Sequence, residues 1–186
     1  NLGGTAGNLL GLAPSSLWHI NVKGSLMSTL ALVGNSIADD ATGMGMNSVP
    51  ADSNNVNWFF ENGVVWDGEG IDSLWSTPDN WSTNALPSDT DIVLFSSASS
   101  KECALDIDVK VKRLLFLPGY TGNFHFDEQK LTVTTNADFR SGGTFTSVSG
   151  AVLDMAGKSL QRIFPPAGQA LPNILVSDTG GVVLTQ

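Results

Sequence analysis

The 186-residue chain is acidic: 18 Asp and Glu oppose 9 Lys and Arg, a net charge of −9. That balance argues against nucleic acid as a main partner, because phosphate recognition needs a surplus of cations. Only 15% of residues are charged, runs of helix-forming Ala, Glu, Lys and Leu are missing, and abundant Gly, Ser, Thr, Asn and Val favour short strands and tight turns.

In chain order, "NLLGLAP", "LWHINVKG" and "STLALVG" read as strands, each ended by Gly or Pro. "NSIADDATGMGMNSVPADSNN" reads as a polar loop and "VNWFF" as a last apolar strand. A boundary near Asn62 divides the chain into segments 1–61, 62–95 and 96–186, the middle one a Trp-rich junction. In "ALDIDVKVKRLLFL", alternation places Leu105, Ile107, Val109 and Val111 on one face, with Cys103 in phase with them. Asp106, Asp108, Lys110 and Lys112 lie on the other. Then "FHF", "KLTVTT", "ADF", "GTFTSV", "AVLDM", "NILV" and "VVLT" follow at near-regular intervals, with one Pro-containing break over residues 164–173.

Many short strands at such spacing specify a sandwich, a barrel or a solenoid. Strands this short, with few hairpin dipeptides between them, favour an all-β parallel β-helix, in which each coil stacks on the one below. No apolar run approaches the roughly 20 residues that span a bilayer, and the start at Asn1, without Met, points to a longer precursor.

Three pieces in order, "GTAGNLLGL", "WHINVKG" and "DSNNVNWFF", resemble the closing coils of a parallel β-helix module of large exported bacterial surface proteins. The next stretch, "VVWDGEG" through "LWSTPDNWSTNALPSDTDIVLF", is similar to the opening of another such module, as in autotransporter-like and adhesin-like proteins, and "CALDIDVKVKRLLF" and "LPNILV" continue the pattern. Residues 36–50 match poorly. The resemblance implies a right-handed parallel β-helix in two partial modules: closing coils over 1–61, a junction or cap over 62–95, and opening coils over 96–186. It also implies an extracellular or cell-surface, bacterial, non-catalytic component.

Trp66, Trp75 and Trp81 stand where a new solenoid begins, and its first coil would leave apolar interior and strand edges open to water. Rings lying across that opening would shield it, each burying up to about 150–250 Å², roughly 4–6 kcal/mol of gross transfer energy. Asn80 and Asp91 are placed to satisfy turn backbone groups, and Trp58 and Phe60 to close the preceding module. The rival reading of the three rings is a sugar-stacking platform, which would make the chain a carbohydrate-binding module.

Acidic groups Asp39/Asp40, Asp67/Glu69/Asp72 and Asp89/Asp91 offer oxygen ligands for calcium, without the spacing of a known calcium loop. Asp67, Glu69 and Asp72 are the best suited of these, because glycines let that loop wrap; no other cofactor is expected. A polysaccharide lyase or hydrolase would need clustered acids, which Asp106 and Asp108 beside Lys110 and Lys112 mimic, though alternation alone produces the same pattern. Cys103 reads as a small core residue. His19 and His125 stand alone, outside any nucleophile or metal motif, and His125 faces opposite to Phe124 and Phe126. "NWS" at residues 80–82 is a glycosylation acceptor in a host that glycosylates. The expected partners are other copies of the chain or neighbouring modules joined end to end, and surface glycans.

Overall fold

A computed structural model describes residues 63–185, apart from 118 and 178, together with the strand backbones within residues 1–61. The chain divides into two compact units, Asn1–Gly63 and Val64–Gln186. The division falls between Gly63 and Val64, beside Asn62.

In the first unit the strands are β1 (Leu2–Gly3), β2 (Leu10–Leu12), β3 (Trp18–Asn21), β4 (Leu26–Thr29), β5 (Ala31–Val33), β6 (Ser36–Asp39), β7 (Gly43–Met46), β8 (Val49–Pro50) and β9 (Trp58–Glu61). They pair in parallel as β1-β4-β7-β9, β2-β5-β8 and β3-β6. Every second or third strand thus returns to the same sheet, which is how a solenoid winds. Residues 36–50, read above as loop, hold β6, β7 and β8. Gly, Asn and Asp there mask short strands whose pairing comes from neighbouring coils rather than from local preference. The side chains of His19, Asp39, Trp58 and Phe60, and Asp40 altogether, lie outside the described residues.

The second unit contains β10 (Val64–Trp66), β11 (Ile92–Phe95), β12 (Cys103–Ala104), β13 (Val109–Val111), β14 (Arg113–Phe116), β15 (Asn123–His125), β16 (Lys130–Val133), β17 (Ala137–Asp138), β18 (Thr144–Thr146), β19 (Val152–Met155), β20 (Gln161–Phe164), β21 (Asn173–Val176) and β22 (Val182–Leu184). All its sheets are parallel: β10-β11-β14-β17-β20-β22, β12-β15-β18 and β13-β16-β19-β21. A sandwich of face-to-face antiparallel sheets is ruled out by that pairing, and the chain is an all-β parallel solenoid.

Register aligns like side chains in columns along the axis. Val64, Val93, Leu114, Ala137, Ile163 and Leu184 form one. Val111, Val133, Met155 and Val176 form another. A third is aromatic. Trp66 sits over Phe95 and Phe95 over Phe116. Phe95 and Phe116 stack at 4.6 Å between centroids and 10° between planes, and Phe139 follows Phe116 at 5.5 Å. Phe124 stands nearly perpendicular to Phe95 and Phe116 at 5.3 and 5.4 Å. Such pairs add about 0.5–1.5 kcal/mol each beyond burial.

The continuous strand read in "ALDIDVKVKRLLFL" is instead broken by two corners into the end of β12, β13 and β14. Leu105 and Val111 are buried, but Ile107 is exposed. The aspartates break the run: Asp106 Oδ1 accepts from the Ser76 amide (3.0 Å) and Asp108 Oδ1 from the Lys130 amide (2.7 Å). Short carboxylates that capture backbone N–H groups compete with ladder pairing, and the chain turns there.

Candidate functional site

The first rung of the second unit is covered by residues 67–91. Along β10, Ser82 takes the place of a neighbouring strand. Its amide donates to Val65 O (2.9 Å) and its Oγ accepts from the Val65 amide (3.0 Å). Beside it Trp66 and Trp81 form an antiparallel bridge. For β12 the same service comes from residues 73–75. The Trp75 amide donates to Ala104 O (2.9 Å) and the Ala104 amide to Ser73 O (2.8 Å). Strand edges otherwise prone to pairing are thus closed from within the chain.

The three indoles lie behind this backbone, fully buried. Trp81 meets Trp66 at 5.1 Å and Trp75 at 4.6 Å, both edge-to-face, and all three pack on Phe95 at 5.9–6.3 Å. Trp81 Nε1 donates to Trp75 O (2.8 Å) and Trp66 Nε1 to Lys101 O (3.1 Å). A single 3₁₀ turn, Pro78–Asn80, aims Trp81 inward; Pro78 presets its first dihedral and the Trp81 amide closes it on Pro78 O (3.0 Å).

Asn80 organises the loop and is fully buried. Its Nδ2 donates to the carbonyls of Asp72 and Leu74 (both 3.1 Å) and to Asp72 Oδ1 (3.3 Å). Its Oδ1 accepts from the Gly70 amide (3.0 Å) and its backbone carbonyl from the amides of Asp67 (3.1 Å) and Gly68 (3.2 Å). Lys101, from the segment before β12, reaches back into the same loop. Its Nζ donates to Gly68 O (3.1 Å), Gly70 O (2.5 Å) and Asn80 Oδ1 (3.3 Å).

The acids singled out for calcium do not converge. Asp67 Oδ1 accepts from the Glu69 amide (3.3 Å), Glu69 is exposed, and Asp72 Oδ1 accepts from the Leu74 amide (3.1 Å). Hydrogen bonding, first from Thr77 and next from the Leu74 amide, holds the Asp72 carboxyl below its usual range. Among the described residues no three of His, Cys, Asp and Glu gather as a metal site. At the other end of the motif, Asp91 Oδ2 accepts from the Ser88 amide and hydroxyl (both 2.7 Å), and its carbonyl from the Lys112 amide (2.9 Å).

Elsewhere, Cys103 is buried, and burial, with Asp106 nearby, pushes its thiol well up, away from the reactive thiolate. His125 lies in register between Ala104 and Thr146. Its Nδ1 is 2.8 Å from Thr146 Oγ1 and its Nε2 3.3 Å from Glu102 Oε2. Composition gave no sign of this carboxylate–imidazole–hydroxyl ladder, because its members are about one coil apart in sequence. It links three successive rungs on the outer face of β12-β15-β18.

Fold and lid together define the class: a parallel β-solenoid whose second unit carries an internal aromatic cap. No family model, curated protein or solved structure matches the chain. No helix among the described residues is long and apolar enough to cross a membrane.

Proposed function

We propose that the chain is a non-catalytic structural or adhesive element of an extracellular bacterial surface protein, sheath or self-assembling fibre, working without a cofactor. The observation that supports this reading best is the placement of its large rings. Trp66, Trp75 and Trp81, the residues best suited to stack on a sugar, are fully buried, with no face left for a ligand. The acids near them are likewise engaged: Asp72, Asp106 and Asp91 hold backbone amides of the loops that close the rung. Chemistry that is distinctive in the sequence is thus turned inward. The chain carries a net charge of −9 with only 15% charged residues, which suits solvation, and a stacked solenoid suits end-to-end contact with neighbouring modules or further copies.

The test is a glycan array together with a turnover panel of acidic and neutral polysaccharides, using the purified chain. The expected result is silence on both, with Trp75→Ala and Trp81→Ala lowering thermal stability. Saturable glycan binding lost in a folded Trp81→Ala protein would establish the carbohydrate-binding module instead. Turnover lost in Asp106→Asn or Asp108→Asn would establish the lyase or hydrolase.

A further inference from the structure

We propose that residues 67–80 form an ammonium cage, and that Lys101 is its resident cation, locking the aromatic lid in place without a metal ion. The inference stands on the loop's geometry alone and is independent of the surface-protein reading.

A loop rich in Gly and acids has the composition of an oxygen cage for a hard cation. Here the oxygens that point inward are neutral: two backbone carbonyls, of Gly68 and Gly70, and the Asn80 side-chain amide. All three meet Lys101 Nζ. An ammonium has three donors and no acceptor, so three convergent oxygens satisfy it completely. The carboxylates of Asp67 and Asp72, by contrast, are bonded to amides of the loop itself. A calcium ion entering the cage would have to displace a like-charged group from acceptors already filled.

The walls fit the lysine stem closely. A Cβ at Gly68 would stand 2.9 Å from Lys101 Cβ and 2.6 Å from Ser99 Oγ, and one at Gly70 would stand 2.7 Å from Asn80 Oδ1. Gly68 also has φ +68°, where a side chain is strained. Lys101 is anchored at its backbone too. Its amide donates to Ser99 Oγ (3.1 Å), and its carbonyl accepts from Trp66 Nε1 (3.1 Å) and the Tyr120 hydroxyl (2.9 Å). One residue therefore joins the cage to the indole cluster: its ammonium holds the loop and its carbonyl holds a ring. The ligand class the cage takes is a primary ammonium.

Competitive acetylation of the folded wild-type chain, read by mass spectrometry, tests occupancy directly. Lys101 should react at least about tenfold more slowly than the exposed Lys110, with the difference abolished in urea. The second experiment reads the lock. In a Trp18→Phe, Trp58→Phe background, so that emission comes from Trp66, Trp75 and Trp81, Lys101→Ala should red-shift the fluorescence and admit acrylamide. Propylammonium should restore protection, and tetramethylammonium at equal ionic strength should not. Lys101 labelling as fast as Lys110, Lys101→Ala retaining wild-type quenching and melting temperature, equal rescue by both amines, or calcium raising the wild-type melting temperature would each overturn the inference. Should Lys101→Ala fail to fold, the acetylation of the wild-type chain still decides.

Discussion

The two ends of the second unit treat the same architecture in opposite ways. At β10 and β12, residues 67–91 supply hydrogen-bond partners for the strand edges and two indoles, Trp75 and Trp81, that pack with Trp66 in the interior. At β21 and β22 the columns run on in register, yet Ile174, Val176 and Leu184 are exposed. Val133, Met155 and Val176 share one column, and only the last is bare. Column position therefore sets the direction of a side chain, while burial comes from whatever lies on the next level. The sheet ending in β18 is intermediate. Residues 165–172 add no strand above it, and Gln169 Oε1 accepts from the Phe145 amide (2.8 Å), replacing one missing carbonyl.

Paired truncations at the two ends sharpen this contrast most. Trp81→Ala should destabilise the second unit by about 3–5 kcal/mol, since a buried indole leaves a cavity and open edges. Val176→Ala should change stability by less than about 0.5 kcal/mol. Urea unfolding of the two variants measures both, and equal losses would erase the distinction between the ends. Asn80→Ala comes next, at about 2–3 kcal/mol, because it takes the side-chain partner from the Gly70 amide and the Asp72 carbonyl and leaves the Leu74 carbonyl with the Thr77 amide alone. A melting curve with an unchanged midpoint would show that the indoles close the end unaided.

Gln169→Ala should cost about 1 kcal/mol, with faster hydrogen exchange at the Phe145 amide as its local signature. The smallest effect is in acid. A carboxyl held below its usual range stabilises the fold while ionised, above its unfolded value, and that contribution disappears as pH falls through the lowered one. Acid unfolding of the wild type below about pH 4 should accordingly be steeper than that of Asp72→Asn; identical profiles would place Asp72 outside the lock.

Parallel winding was legible because alternation and spacing are local properties. Cys103, Leu105, Val111, Phe124 and Phe126 point inward as their phase requires. Ile107 does not, since alternation carries no mark of the corners that Asp106 and Asp108 impose. β10 and β20 escaped notice for related reasons: each is only three or four residues long, and β20 begins with a buried Gln161 that reads as a loop residue. That glutamine serves the corner, accepting from the Gly157 amide (2.8 Å) and donating to Val133 O (3.0 Å). Three large rings in and beside a polar loop announced themselves by composition. Lys101 did not, because it meets Asn80 from 21 positions away, and no periodicity links the two.

The hub of the loop is also the Asn of the acceptor sequence "NWS". Its amide nitrogen, the atom an oligosaccharyltransferase would modify, already makes three hydrogen bonds in the interior. A sugar added there during secretion from a eukaryotic cell would arrive before the indoles could seat, and material made that way would fail quality control or emerge misfolded. Bacterial expression, or Ser82→Ala in a mammalian host, is the practical choice for producing this protein.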